Sequence, residues 1–249
     1  MTAIEAGGAR QWGVGSVIGS AFSIFFGHFI SFVGTALLVM VPSLLFRLAV
    51  PLSPFQSLVD LILGQVASVT LIYGTVQALR GRKVAIGECL SEGFKRLGVA
   101  LAVAILATIG YVIGFILLVV PGIILVLMWA VAVPVAVVER AGVPASFGRS
   151  RTLTRDRRWR ILGTFVVAGL IMAALEAVIG SILIASMGSS FSEAVLELAS
   201  DPGAGFAVAQ WVLGALMLAF YACLLATLYY YLRRDKEGVD IEQIAAVFD

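Results

Sequence analysis

The side chains with the most chemistry to offer crowd into one stretch. Residues 139–160 read ERAGVPASFGRSRTLTRDRRWR, with seven arginines and only Glu139 and Asp156 as acids. The 42 residues before it and the 15 after it contain no Asp, Glu, Lys or Arg. A cationic cluster beside an anionic leaflet gains about 1 kcal/mol per basic residue. Arg149, Arg151, Arg155, Arg157, Arg158 and Arg160, with the Trp159 indole, are therefore the candidate site for anionic lipid headgroups or for a protein partner. In a helix beginning at Pro144, Arg151, Arg155 and Arg158 share one face. The alternative is that these charges only fix the topology of a cytoplasmic loop.

The next candidate is Glu176, inside an otherwise apolar run. A carboxylate at the centre of a membrane helix costs at least about 2.5–3.5 kcal/mol, so such residues usually face protein and often mark function. Glu176 could line a solute or proton path. With no second acid at comparable depth, the reading favoured is structural: a protonated or hydrogen-bonded glutamate tying helices together through Gln210, Gln65 or Thr227. Asp60 and Arg47 sit near the outer ends of neighbouring spans, where an interfacial ion pair is expected, and Glu139 is placed to pair with the arginines that follow it.

Catalytic signals are missing from this sequence. His28, the one histidine, lies in an apolar run and reads as an interface residue, and Cys89 and Cys223 fall in different segments without ligand spacing. No Ser–His or Cys–His pairing and no phosphate-cradling glycine loop stands out. The expectation is no enzyme, no metal, no cofactor and no nucleic-acid partner. Gly110-x-x-x-Gly114 and Gly15-x-x-x-Gly19 permit close helix approach, within one bundle or between copies.

The elements that must carry these residues follow from composition. Of 249 residues, 61% are hydrophobic and 13% charged. Soluble domains carry about 25% charged residues, so the solvent here must be lipid. The expected fold is all-α: a polytopic membrane protein with six transmembrane helices plus short interfacial amphipathic helices, in one domain over 1–249. The spans are expected at 29–50, 55–79, 98–119, 122–138, 159–187 and 206–232, and the interfacial helices at 14–26, 84–96 and 144–156. Gly27-His28 divides the first apolar run, Pro51–Pro54 makes a tight turn, and Val120-Pro121-Gly122 supplies the turn between spans three and four. Pro134 is placed to kink the fourth span. A capping-box pattern at Ser190 and Glu193 starts a short acidic helix to about Ser200, and 237–249 forms an acidic tail.

Six spans put both termini and the loops at 80–96 and 139–160 on one side. Of 17 Lys and Arg residues only Arg47 falls towards the other, which makes the shared side cytoplasmic. A surface helix followed by two spans recurs three times, in 14–79, 84–138 and 144–232, as a geometric repeat with faint sequence similarity. Repeats are common in transporters, which usually also show broken helices near the midplane. The sequence matches that second feature weakly.

Pro121-Gly122-Ile123-Ile124-Leu125, Trp129, Pro134-Val135, Glu139, Arg149-Ser150, Leu153-Thr154-Arg155 and Arg158-Trp159-Arg160-Ile161-Leu162 read as one motif, joined by Tyr229-Tyr230-Tyr231-Leu232-Arg233. This second half resembles the membrane domain of glycerophosphoryl diester phosphodiesterases and the small bacterial membrane proteins that share it. Arg151 departs from that pattern, where an aromatic is expected, and so does Asp156, where glycine is usual. In the phosphodiesterases the chemistry sits in a separate soluble domain, which needs paired histidines and metal-binding carboxylates, and this chain has no residues left over for a barrel of about 250 residues. The resemblance therefore implies a membrane domain without phosphodiesterase activity, in a bacterial inner membrane, with a separate protein as one conceivable partner. The functional expectation is a non-enzymatic membrane protein that binds anionic lipid or a protein partner through its basic cytoplasmic face. A transporter or channel for a small or lipidic solute, using Glu176, is the alternative. That alternative requires a polar cavity around Glu176.

Overall fold

The structure, a computed structural model, describes residues 12–50, 53–82, 86–186 and 203–238. The acidic stretch expected at 190–200 and the tail beyond Gly238 lie outside the described residues. Every regular element among them is a helix: α1 (Val14–Gly27), α2 (Phe29–Ala49), α3 (Gln56–Leu79), α4 (Ile86–Leu117), α5 (Val119–Met128), α6 (Ala132–Val138), α7 (Val143–Thr154), α8 (Arg158–Ser186) and α9 (Gly203–Glu237). By length and composition α2, α3, α4, α8, α9 and the α5–α6 pair (Val119–Val138) are six membrane spans. The chain is an all-α, polytopic membrane protein.

Lipid-solvated helices are apolar on every side, so burial rather than hydropathy identifies the core. Residues 66–77 of α3 are buried without interruption, as are most residues of the second half of α9. α2, α4 and α6 pack around these two helices. α1 lies lengthwise on α9: Phe25 meets Phe220 edge-on at 5.7 Å, and the Ser20 and Tyr231 hydroxyls are 2.8 Å apart. That contact runs over about 16 Å of α9, so α1 is bound into the bundle as well as amphipathic. Gly27-His28 is the joint between α1 and α2, and the His28 ring nitrogen Nδ1 approaches the Ile24 carbonyl at 3.3 Å.

Several boundaries differ from expectation, and α9 runs from Gly203 to Glu237 instead of 206–232. The polar segment 84–96 is not a separate interfacial helix: α4 runs unbroken from Ile86 to Leu117. A glycine such as Gly98 weakens a helix by only about 1 kcal/mol, and the polar end finds partners. Glu92 pairs with Lys95 at 2.6 Å and with Arg96 at 3.1 Å. The buried Arg96 donates to the Val137 carbonyl at the end of α6 and lies 5.2 Å over the Tyr73 ring.

The turn between spans three and four falls at Leu118, whose backbone is extended, not at Pro121-Gly122. Pro121 occupies the first turn of α5, where its missing N–H has no helical partner to lose. Gly114 then lets α5 close onto α4, since a Cβ there would sit 2.8 Å from Leu125 and 3.0 Å from the Gly122 backbone. Gly15 and Gly19, by contrast, have no neighbour within 4 Å of an added Cβ. The first glycine pair works inside the bundle.

The fourth span is broken, not merely kinked. α5 ends at Met128 and α6 starts at Ala132. Pro134 lies in the first turn of α6, where its ring would clash with the carbonyl four residues earlier in a continuous helix. Finally, α7 stops at Thr154 instead of reaching 156.

Candidate functional site

The basic segment is built onto the bundle by the break in the fourth span. With Ala132 N–H turned to Trp129, the Met128 carbonyl is left for other donors. It accepts the Ser150 hydroxyl at 2.9 Å and the Thr154 hydroxyl at 3.2 Å, both from α7. The Trp129 ring packs on Phe147 at 4.8 Å, and Leu153 is fully buried. Together these contacts give α7 a fixed seat.

Ion pairs complete the attachment. The Glu139 carboxylate, at the end of α6, accepts Arg149 Nε at 3.0 and 3.1 Å and the Tyr229 hydroxyl at 2.9 Å. Arg149 also reaches Glu237, which accepts Arg233 Nε at 2.9 Å, and Arg233 donates back to Tyr229 at 3.1 Å. Five side chains from α7, α9 and the end of α6 thus form a closed ring. Beside it Arg157 makes a two-pronged pair with Asp235 at 2.6 and 3.3 Å, a hydrogen bond that holds its guanidinium above the ordinary range. Arg160 donates to the Trp12 carbonyl at 3.2 Å and lies 5.8 Å over the Trp12 ring.

The remaining arginines of the segment are different. Arg140, Arg151, Arg155 and Arg158 have no side-chain hydrogen bond or ion pair among the described residues, and Arg158 Nε is buried without a hydrogen-bond partner. Arg151 and Arg155 are exposed, and Trp159 is 85% exposed. Their arrangement corrects the single helical face expected for Arg151, Arg155 and Arg158. Arg155 is extended (φ −59°, ψ 136°), Asp156 is left-handed (φ 68°), and Arg158 opens α8. The three cations surround a helix–turn–helix corner. Position 156 needs the backbone that glycine adopts most easily and that aspartate tolerates better than most residues.

Glu176 occupies a different setting. A cavity of about 720 Å³ lies between α3, α4, α8, α9 and the break in the fourth span. Gln65, Ser68, Thr108, Tyr111, Trp129, Met172, Glu176 and Tyr221 bring its main polar and aromatic groups, and the rest of the wall is aliphatic or Phe. Gln65, Ser68, Met172, Glu176 and Tyr221 fall near the middles of their helices. The space is there because, among its described side chains, α8 is fully buried only at Ile161, Thr164 and Ala168, and beyond Ala168 it is mostly exposed. Glu176 has no hydrogen-bond or ion-pair partner among the described residues. Of the groups expected to hold it, Gln65 shares the cavity wall, while Gln210 and Thr227 are not part of that wall.

Asp60 is fully engaged at the opposite end of the bundle. Its carboxylate accepts Arg47 Nη2 at 3.2 Å, Gln56 at 2.9 Å and the Ser43 hydroxyl. Among the described residues no three His, Cys, Asp or Glu side chains gather in metal-binding geometry.

Sequence reading assigns no role to Arg96, Asp235 and Glu237, and it marks Tyr229 only as part of the motif. Tyr229, Arg233 and Glu237 recur at i, i+4, i+8, which is a readable signal for one helical face, but their partners lie about 90 residues away. Compared with known protein families, with curated proteins and with solved structures, the chain matches none.

Proposed function

We propose that the chain is a non-enzymatic protein of the cell membrane, with both termini cytoplasmic, that binds anionic phospholipid at the corner formed by Arg151, Arg155 and Arg158. One observation carries this reading: the arginines of the basic segment divide in two. Arg149, Arg157 and Arg160 are used up in holding α7 and α8 to α9 and α1. Arg151, Arg155 and Arg158 do no such work, yet cluster at the membrane end of α8 beside an exposed indole. Charges needed only for topology could sit anywhere in the loop. A seated corner with unspent guanidinium groups suits a phosphate headgroup, which Arg recognises through its planar fork of donors. Trp159 suits the headgroup level.

The resemblance to the phosphodiesterase membrane domain belongs to this proposal. The residues that carry it include Trp129, Pro134, Glu139, Arg149, Ser150, Thr154, Arg160, Tyr229 and Arg233, which build the break, the seat of α7 and the ionic ring. They describe a scaffold, and a separate soluble enzyme would be its natural partner. A pull-down from native membranes that returns no such protein counts against that part.

Native mass spectrometry of the gently extracted protein tests the lipid site. Wild type should retain phosphatidylglycerol or another anionic phospholipid, and the Arg151→Gln, Arg155→Gln, Arg158→Gln variant should lose it while staying folded. Equal retention by both would make these arginines topological.

A second reading, carriage of a small or lipidic solute, is favoured by the cavity at Glu176. Solute sites in transporters lie near the midplane beside interrupted helices, and here the interrupted span forms part of the cavity wall.

A further inference from the structure

Among the described residues the cavity wall holds one carboxylate, Glu176, and no Lys, Arg or His to neutralise it. The nearest cation along α8 is Arg160, sixteen residues earlier, about 24 Å away along the axis. Arg47, at the far end of the bundle, is committed to Asp60. An ionised carboxylate at membrane depth, away from water, requires a proton or a positive partner. The surroundings of Glu176 select between these.

Tyr111, Trp129 and Tyr221 present aromatic rings to the same space, and ring faces attract ammonium-type cations. Met172 and Met217 add polarizable, adaptable walls. A volume of about 720 Å³ lies in the range of about 300–1,000 Å³ typical of small-molecule sites. A small inorganic cation would want several oxygen ligands at once; besides Glu176 the wall offers the oxygens of Gln65, Ser68 and Thr108, carried by α3 and α4, but most of it is apolar or aromatic. An anionic amphiphile would bring a second negative charge beside Glu176. The entrance is lateral, because α8 beyond Ala168 is largely unburied and Glu176 is exposed. A ligand dissolved in the bilayer can therefore reach it.

We propose that this cavity binds a lipophilic monovalent organic cation, its charge set against Glu176 and its apolar body against Tyr111, Trp129, Tyr221 and Met172. The proposal deepens the solute reading of the cavity, on which it rests, and is independent of the basic corner.

The test uses two near-isosteric probes of opposite charge, tetraphenylphosphonium and tetraphenylborate, with the full-length protein in phosphatidylcholine nanodiscs. Wild type should bind tetraphenylphosphonium saturably and well above empty nanodiscs, and tetraphenylborate no better than the lipid alone does. Glu176→Gln, which keeps the shape, should weaken tetraphenylphosphonium binding about tenfold or more, roughly 1.4 kcal/mol or more. The Arg151→Gln, Arg155→Gln, Arg158→Gln variant should bind the cation like wild type. Equal uptake of both probes, or an affinity unchanged by Glu176→Gln, would mean apolar partition and would overturn the site. So would the absence of saturable cation binding by folded wild type, a comparison that needs no variant. Binding without movement of the cation across proteoliposomes would support the site and remove transport.

Discussion

Glu139 and Glu176 are both carboxylates in an apolar bundle, and their surroundings are opposite. Glu139 accepts hydrogen bonds from Arg149 and Tyr229 and closes a ring that runs through Glu237 and Arg233. Glu176 faces a cavity and has no such partner among the described residues. The same division separates Arg149, Arg157 and Arg160 from Arg151, Arg155 and Arg158. A buried or half-buried charge whose valences are all met belongs to the fold, because removing it strands its partners. A charge left unmet is free to serve a ligand, and Arg151, Arg155 and Arg158 at one corner and Glu176 at the cavity are such charges.

This contrast can be broken by mutation, and the largest effect should come from Glu139. Glu139→Gln leaves Arg149 and Arg233 in a ring with one acid and should lower unfolding free energy by about 2 kcal/mol, measured by denaturant titration in mixed micelles. Gly110→Ala should act on the same scale. Its Cβ would fall inside the van der Waals surface of the Trp129 ring, and such overpacking costs about 1–3 kcal/mol. The displaced indole should also change the intrinsic fluorescence of the protein. A double-mutant cycle of Arg157→Gln with Asp235→Asn should give a smaller coupling, about 0.5–1 kcal/mol, because the pair is partly exposed. The smallest effect belongs to Glu176→Gln, within about 0.5 kcal/mol of wild type. A loss as large as that of Glu139→Gln would assign Glu176 to the fold and erase the contrast.

The six spans are legible in the sequence because lipid imposes long uncharged runs, and Gly27-His28 marks a real joint. Other features were written in less local terms. The polar stretch 84–96 looks like a separate interfacial helix only until Arg96 is seen capping α6, about forty residues away. Pro121-Gly122 looks like a turn, yet proline suits the opening turn of a helix equally well, and Leu118 supplies the bend. Pro134 signals trouble in the fourth span, but a full break also leaves the Met128 carbonyl open, and the Ser150 and Thr154 hydroxyls that receive it are supplied by another helix. The importance of the basic segment could be read from its composition. Which arginines were spent could not, since Asp235, Glu237 and Trp12 are distant in sequence. A cavity is an absence of packing, which no periodicity records.

The most direct test of the division between spent and unspent charge is the thermal unfolding midpoint in neutral detergent, before and after phosphatidylglycerol is added. It would be read for wild type, for Arg149→Gln and for the Arg151→Gln, Arg155→Gln, Arg158→Gln variant. The account predicts that Arg149→Gln starts lower but still rises with lipid, whereas the triple variant starts at the wild-type midpoint and does not rise. A triple variant that gains from phosphatidylglycerol as wild type does, or that is already destabilised without it, would contradict the account.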